Sequence, residues 1–133
     1  LRALPRDAFW AVDGFPRNKG QVGSYERLMK ELKRSDVILH LSLSDDPQVA
    51  RAIAEGRMIK RGEETVARGR KPREEDVDPV KRASRLDDAQ ELDAVVAHFA
   101  ALGRVLTVDA TKDIEDVRAQ LRTLFLEHAV ILA

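Results

Sequence analysis

The 133 residues include 23 Lys+Arg and 23 Asp+Glu, so the net charge is zero and no overall field draws the chain toward nucleic acid or an anionic membrane. The absence of cysteine excludes a disulfide frame and any thiolate metal site, and no run approaches the roughly 18 apolar residues that a bilayer span requires. The length suits one domain at most, no signal peptide is visible, a cytoplasmic or similarly reducing compartment is expected, and the first residue, Leu1, leads us to expect a piece of a longer product.

In chain order, Phe9-Trp10-Ala11-Val12 reads as the apolar part of a buried strand near Ala8–Val12. Tyr25, Leu28, Met29 and Leu32 recur at helical spacing, ended by Lys33-Arg34-Ser35-Asp36. Val37 to Leu43 is β-branched and apolar at its start, which suits a buried parallel strand. Asp45-Asp46-Pro47 is a helix start, an acidic cap with proline in the first turn. That helix is expected to carry Val49, Ile53 and Met58 inward and to run to about Arg61. Gly62 to Pro79 holds almost no apolar residues and many charges of both signs, and reads as a mobile surface excursion. A long helix follows from about Val80 to Leu102, with Leu86, Leu92, Val95, Val96 and Phe99 as candidate buried positions and Gly103 as its C-cap. Val105 to Val108 is a short strand, and Asp113 to about Leu126 a final amphipathic helix bearing Ile114, Val117, Leu121, Leu124 and Phe125. Alternating strands and helices imply an α/β fold with a parallel sheet and right-handed crossovers.

The chemistry concentrates at the end of the first strand. Asp13 sits at its carboxyl end, Gly14 lets the backbone turn, Arg17 projects from the loop, and Gln21 follows four residues later. Open α/β sheets bind ligands at the carboxyl ends of strands, where an acid suits a magnesium-nucleotide and an arginine a phosphate. Arg57 and Arg61, one turn apart, read on their own as solvent-facing cations at a basic helix end. His40, His98 and His128 have no carboxylate or second histidine at metal-ligand spacing and read as structural or surface residues.

Asp13-Gly14-Phe15-Pro16-Arg17 resembles the D-G-[FY]-P-R motif of adenylate kinases and related nucleoside monophosphate kinases, and the resemblance continues in order from Trp10 to Phe125. It implies a P-loop NTPase-like three-layer α/β/α fold with a parallel sheet. Gly14, Arg17 and Gln21 then stand in the AMP site, with Arg17 on the phosphate and Gln21 on the adenine, while Asp13 supports the Mg²⁺ that accompanies ATP. Arg57-Met58-Ile59-Lys60-Arg61-Gly62 resembles R-L-x-x-R-G at the entrance to the family's lid, which implies that Arg57 packs on the ATP adenine and helps to hold phosphate. Residues 62–79 form a lid-like insertion within a single partial domain spanning 1–133. Gly69-Arg70-Lys71-Pro72-Arg73-Glu74-Glu75-Asp76, then Lys81-Arg82, stands where short lids read G-R-x-D-D and K-R-L. Arg70 or Arg73 is then the first lid arginine, and Arg82 or else Arg85 the second. Ser84-Arg85-Leu86-Asp87-Asp88 mimics the lid pattern in the wrong place, and the charge run from Arg68 to Asp76 reads equally as a solvated surface. Ala94 to Phe99 with Gly103 resembles P-V-I-x-x-Y-x-x-x-G, and Val108-Asp109-Ala110 the strand end near the ATP base.

No G-x-x-x-x-G-K-[ST] occurs in the chain, although phosphates are cradled by that loop's N–H groups and lysine. The resemblance therefore covers roughly the C-terminal two-thirds of the family's fold, without its first strand, P-loop and AMP-binding segment. In the family's topology the missing strand lies between the Asp13 strand and the strand at Val37 to Leu43. The slot it leaves is expected to be filled by the rest of the same polypeptide or by another chain, since unpaired backbone is costly to bury. Two functions compete. One is part of an adenylate kinase interconverting ATP plus AMP with two ADP, the 133 residues being inactive alone. The other is a degenerate adenylate kinase-like domain with a structural or nucleotide-sensing role in a larger assembly, such as a ciliary or flagellar complex. Neither involves nucleic acid or membrane insertion.

Overall fold

A computed structural model describes residues 11–33 and 36–127. Helix α1 (Lys19–Leu32) starts where Asn18 accepts a hydrogen bond from the Gln21 N–H, and stops at Lys33, whose φ of 51° takes the chain out of the helix. Strand β1 (Ile38–Ser42) leads to α2 (Pro47–Ala67). The Asp46 carboxylate caps α2 at the N–H groups of Gln48 and Val49, and Pro47 fills its first turn, as the sequence implied. The short helix α3 (Glu74–Val77) precedes α4 (Pro79–Ala101), which Asp78 and Pro79 open in the same manner. At the far end of α4, Gly103 has φ +66° and the N–H groups of Gly103 and Arg104 close onto Ala100 and Phe99. This Schellman turn aims the chain into β2 (Val105–Asp109) and then α5 (Ile114–Glu127). The two strands pair in parallel, from Ile38 opposite Val105 to Ser42 opposite Asp109, with α2, α3 and α4 in the crossover.

The fold is thus α/β, helix-rich, with a small parallel sheet. Its core joins Val22, Tyr25 and Met29 of α1 to Val95 and Phe99 of α4, with Phe15, Leu32, Ile38 and Val105 packed against them. Tyr25 sets its ring edge-on between Phe15 and Phe99, and its hydroxyl donates to Asp36 at 2.6 Å. Arg104, lying 4.9 Å over the Phe99 ring, donates to both Asp36 and Glu26. Burial and the Asp36 carboxylate push the Tyr25 hydroxyl well above its usual pKa. This network ties α1 and the approach to β1 onto the turn between α4 and β2.

Several expectations change. Ala8 to Trp10 lie outside the described residues, as does His128; Ala11 and Val12 are exposed and not in a strand. Helix α2 does not stop near Arg61 but continues six residues to Ala67, because Gly62 to Ala67 contains no breaker once Gly62 is packed tightly. The segment 62–79 is accordingly two helical pieces with a buried centre at Gly62 and Asp76, not an excursion without structure. Leu86, Val95 and Phe99 are buried as expected, whereas Leu92 and Val49 are exposed. Helix α5 buries no residue, and its Ile114 and Phe125 are exposed. The inward placement expected of Val49 and Leu92 is therefore not found, and among the described residues nothing covers these side chains or Ile114 and Phe125.

Candidate functional site

The loop before α1 is locally self-organised. Gly14 has φ +74°, a conformation that residues with a Cβ resist. Arg17 folds back so that its Nε–H donates to the Gly14 carbonyl at 2.8 Å, and a Cβ at position 14 would meet the guanidinium at 2.8 Å. The backbone N–H of Arg17 donates to Gln21 Oε1 at 2.8 Å. One edge of the Arg17 guanidinium is therefore held by the turn, its terminal nitrogens have no hydrogen-bond partner among the described residues, and the residue is exposed. Asp13 is exposed one residue before the turn. Gly14, Arg17 and Gln21 come together, as their spacing implied, with Asp13 beside them.

The second group lies where α2 meets the end of β2. The Arg57 guanidinium donates to the carbonyl of Ala110 at 2.6 Å, which joins the helix to the carboxyl end of the strand. There Asp109 accepts from both the hydroxyl and the N–H of Thr111, which hold its carboxyl below the usual carboxylate range. Gln120 of α5 clasps the Asp109 backbone at both its N–H and its carbonyl. A groove lined by Thr107, Asp109, Lys112, Asp116, Gln120 and Leu124 opens alongside.

The third group is built around Asp76, which sequence reasoning did not single out. Its side chain is 1% exposed and accepts two hydrogen bonds from Arg61, from Nε at 2.7 Å and from Nη2 at 2.5 Å. The Arg61 fork, helped by the charges of Arg73 and Arg82, holds this carboxyl below its ordinary range. Gly62 lies so close that a Cβ there would come within 3.0 Å of both the Asp76 Cβ and its carbonyl oxygen. Arg82 is buried, donates from Nη2 to the Asp76 carbonyl at 2.8 Å, and leaves its Nε without a partner among the described residues. Arg70 and Arg73 are exposed, on the loop between α2 and α3 and at the α3 cap. Ser84 to Asp88 is helical; Leu86 is buried and Asp87 pairs with Arg51 at 2.7 Å. The signal available for the third group was the register of Arg57 and Arg61 on one helix; nothing in Glu74-Glu75-Asp76 distinguished the acid that is buried.

Among the described residues, no cluster of three or more His, Asp or Glu side chains could hold a metal ion, and no helix is long and apolar enough to cross a membrane. No protein-family model matches the chain, and no solved structure matches it. Curated relatives do. The chain is 29% identical over 117 residues to an adenylate kinase of a Synechococcus species (strain JA-2-3B'a(2-13)), covering 86% of this chain and 54% of the relative. It is 32% identical over 112 residues to an adenylate kinase of Beijerinckia indica, covering 83% and 54%. With an adenylate kinase of Nitrobacter winogradskyi it shares 28% identity over 131 residues, covering 97% and 60%. The chain spans about half the length of the curated relatives it matches, less than the two-thirds expected from its motifs.

Proposed function

Since this chain is an adenylate kinase-like segment of nucleotide-kinase type, we propose that the natural polypeptide carrying it transfers a phosphoryl group from ATP to AMP, giving two ADP. The observation that carries this reading is the turn in which Gly14 holds Arg17 by its Nε and Gln21 holds it by its N–H. Arg17 pairs with the AMP phosphate and Gln21 bonds the adenine. An oxygen of that phosphate attacks the γ-phosphorus of ATP in line, and the bond from the γ-phosphorus to the bridging oxygen breaks. The task for the protein is positioning and charge stabilisation rather than nucleophilic chemistry.

Arg57, Arg70 or Arg73, and Arg82 surround the transferring group. For Arg82 this requires release from the Asp76 carbonyl, so the lid-like segment 62–79 moves when nucleotide is bound, and its closure excludes water. A lone exposed carboxylate such as Asp13 fits a magnesium ion that arrives with ATP and keeps most of its own waters; the ion supplies charge neutralisation at the phosphates. Residues that cradle the ATP phosphates and complete the sheet come from the rest of the same polypeptide or from another chain, in a cytoplasmic setting. The burial of Arg82 favours a second reading, in which nucleotide is bound without turnover and the domain serves as a sensor or scaffold in a larger assembly. A coupled assay of ADP formation separates them. The natural polypeptide turns over ATP plus AMP whereas the 133 residues alone do not; a natural polypeptide that binds AMP without forming ADP would support the second reading.

A further inference from the structure

Helix α2 carries an exposed stripe along its length that none of the chemistry above uses. Val49, Ala52, Gly56, Ile59, Glu63 and Val66 follow one another in alternating steps of three and four residues, so they share one face. It is not the face through which Arg51 and Gly62 meet α4 and α3. Val49 is 46%, Ile59 38% and Val66 56% exposed, and a Cβ at Gly56 would meet nothing within 4 Å. The two ends of the helix differ in charge. Asp45 and Asp46 are exposed just before it, and Arg68, Arg70 and Lys71 just after it. Among the described residues, the side chains of Asp45, Arg68, Arg70 and Lys71 have no ion-pair or hydrogen-bond partner, and nearby Glu64 pairs with Lys60 instead.

We propose that this face of α2 docks a second copy of the chain, the two helices packed antiparallel about a twofold axis through their midpoints. The stripe is its own complement when reversed. With the axis between Arg57 and Met58, Val49 meets the partner's Val66 and Ile59 seats in the notch at the partner's Gly56. Glu63 passes the partner's Ala52, which is small enough to leave the carboxylate a way to water. Each pairing occurs twice, as an isologous contact requires. The same reversal sets Asp45 and Asp46 beside the partner's Arg68, Arg70 and Lys71 at both ends, where opposite charges fix register and orientation. Zero net charge leaves no long-range repulsion between copies. Arg57 and Arg61 leave α2 toward β2 and α3, so both nucleotide sites stay open. With Arg70 drawn to the partner, Arg73 remains for the lid.

The test is sedimentation equilibrium of the natural polypeptide, wild type and Gly56→Gln, each checked for native circular dichroism. Within one copy a side chain at position 56 meets open space, and glutamine favours a helix over glycine, so the variant folds. Between copies it fills both notches. Wild type is expected to be a dimer, and Gly56→Gln to weaken it about tenfold or more. A charge exchange gives a second reading. Asp45→Lys weakens the dimer about threefold, and adding Arg68→Glu to it restores the affinity. A monomeric wild type, its stripe covered by the rest of its own polypeptide, would overturn the proposal. So would a dimer indifferent to Gly56→Gln, or a double variant looser than Asp45→Lys alone.

Discussion

Glycines 56 and 62 sit in the same helix and have opposite surroundings. A Cβ at Gly56 would meet nothing within 4 Å, whereas one at Gly62 would press on the Asp76 side chain and backbone at 3.0 Å. Helix propensity favours alanine at both by about 0.5–1 kcal/mol, but at Gly62 either α2 or α3 must shift, at about 1–3 kcal/mol. Gly56→Ala is therefore expected to raise the midpoint of urea unfolding and Gly62→Ala to lower it. Both changes stabilising would show that α3 is not seated as described. Gly14 is a third case, since a side chain there opposes the positive φ and displaces the Arg17 guanidinium. Reading single residues went furthest at this scale: Asp13, Gly14, Arg17 and Gln21 are close in sequence, so local spacing sufficed to group them. Asp76 was not legible, because its burial depends on Gly62 and Arg82, 14 and six residues away.

Between elements, the Arg61–Asp76 pair joins α2 to α3, and Arg82 joins α4 to α3. The pair is asymmetric. Arg61→Ala strands a buried carboxylate and is expected to cost about 3 kcal/mol; Asp76→Asn leaves a half-exposed cation that water can solvate, at about 1–2 kcal/mol. Because the folded Asp76 carboxyl lies below its ordinary range, its contribution to stability is fully present above the unfolded value of about 3.9 and is lost as pH falls through the folded value. Melting curves of wild type and Asp76→Asn should differ at pH 7 and converge progressively below about pH 4. A gap that persists or widens in acid would mean that the ionised pair is not what stabilises the junction. Caps, turns and the helix starts at Asp46 and Asp78 follow from local chemistry and were readable as such for Asp46. The end of α2 was not, because the apolar count that marks helices says nothing of a helix whose only buried residue is a glycine.

At the scale of the whole molecule, large apolar side chains among the described residues are exposed on five elements: Leu39 and Leu41 of β1, Val49, Ile59 and Val66 of α2, Val77 of α3, Val80 and Leu92 of α4, and Ile114, Phe125 and Leu126 of α5. Such faces call for a covering layer, and the curated relatives extend well beyond the matched region. The sheet suggests where a covering strand would pair. Ile38 donates to Arg104 and Ser42 accepts from Ala110, so by alternation along the parallel ladder the N–H groups of Leu39 and Leu41 point to the edge of β1 that no described strand pairs. In the 133 residues alone these two amides should exchange with solvent far faster than those of Ile38 and His40, and in the natural polypeptide all four should be protected. Slow exchange at Leu39 and Leu41 in the short chain would show that the edge is already paired. The α/β class and the parallel pairing were legible from the β-branched runs; the state of the open faces was not, since periodicity marks an apolar face without naming its partner. The central claim is that the turn from Asp13 to Gln21 receives AMP. Calorimetric titration of AMP into the natural polypeptide and its Arg17→Ala variant tests it most directly. Loss of a charge-assisted contact with phosphate, worth about 1.5–3 kcal/mol, predicts affinity weakened about 10- to 100-fold with the fold intact, whereas equal affinity in the two proteins, or no binding to either, would contradict the account.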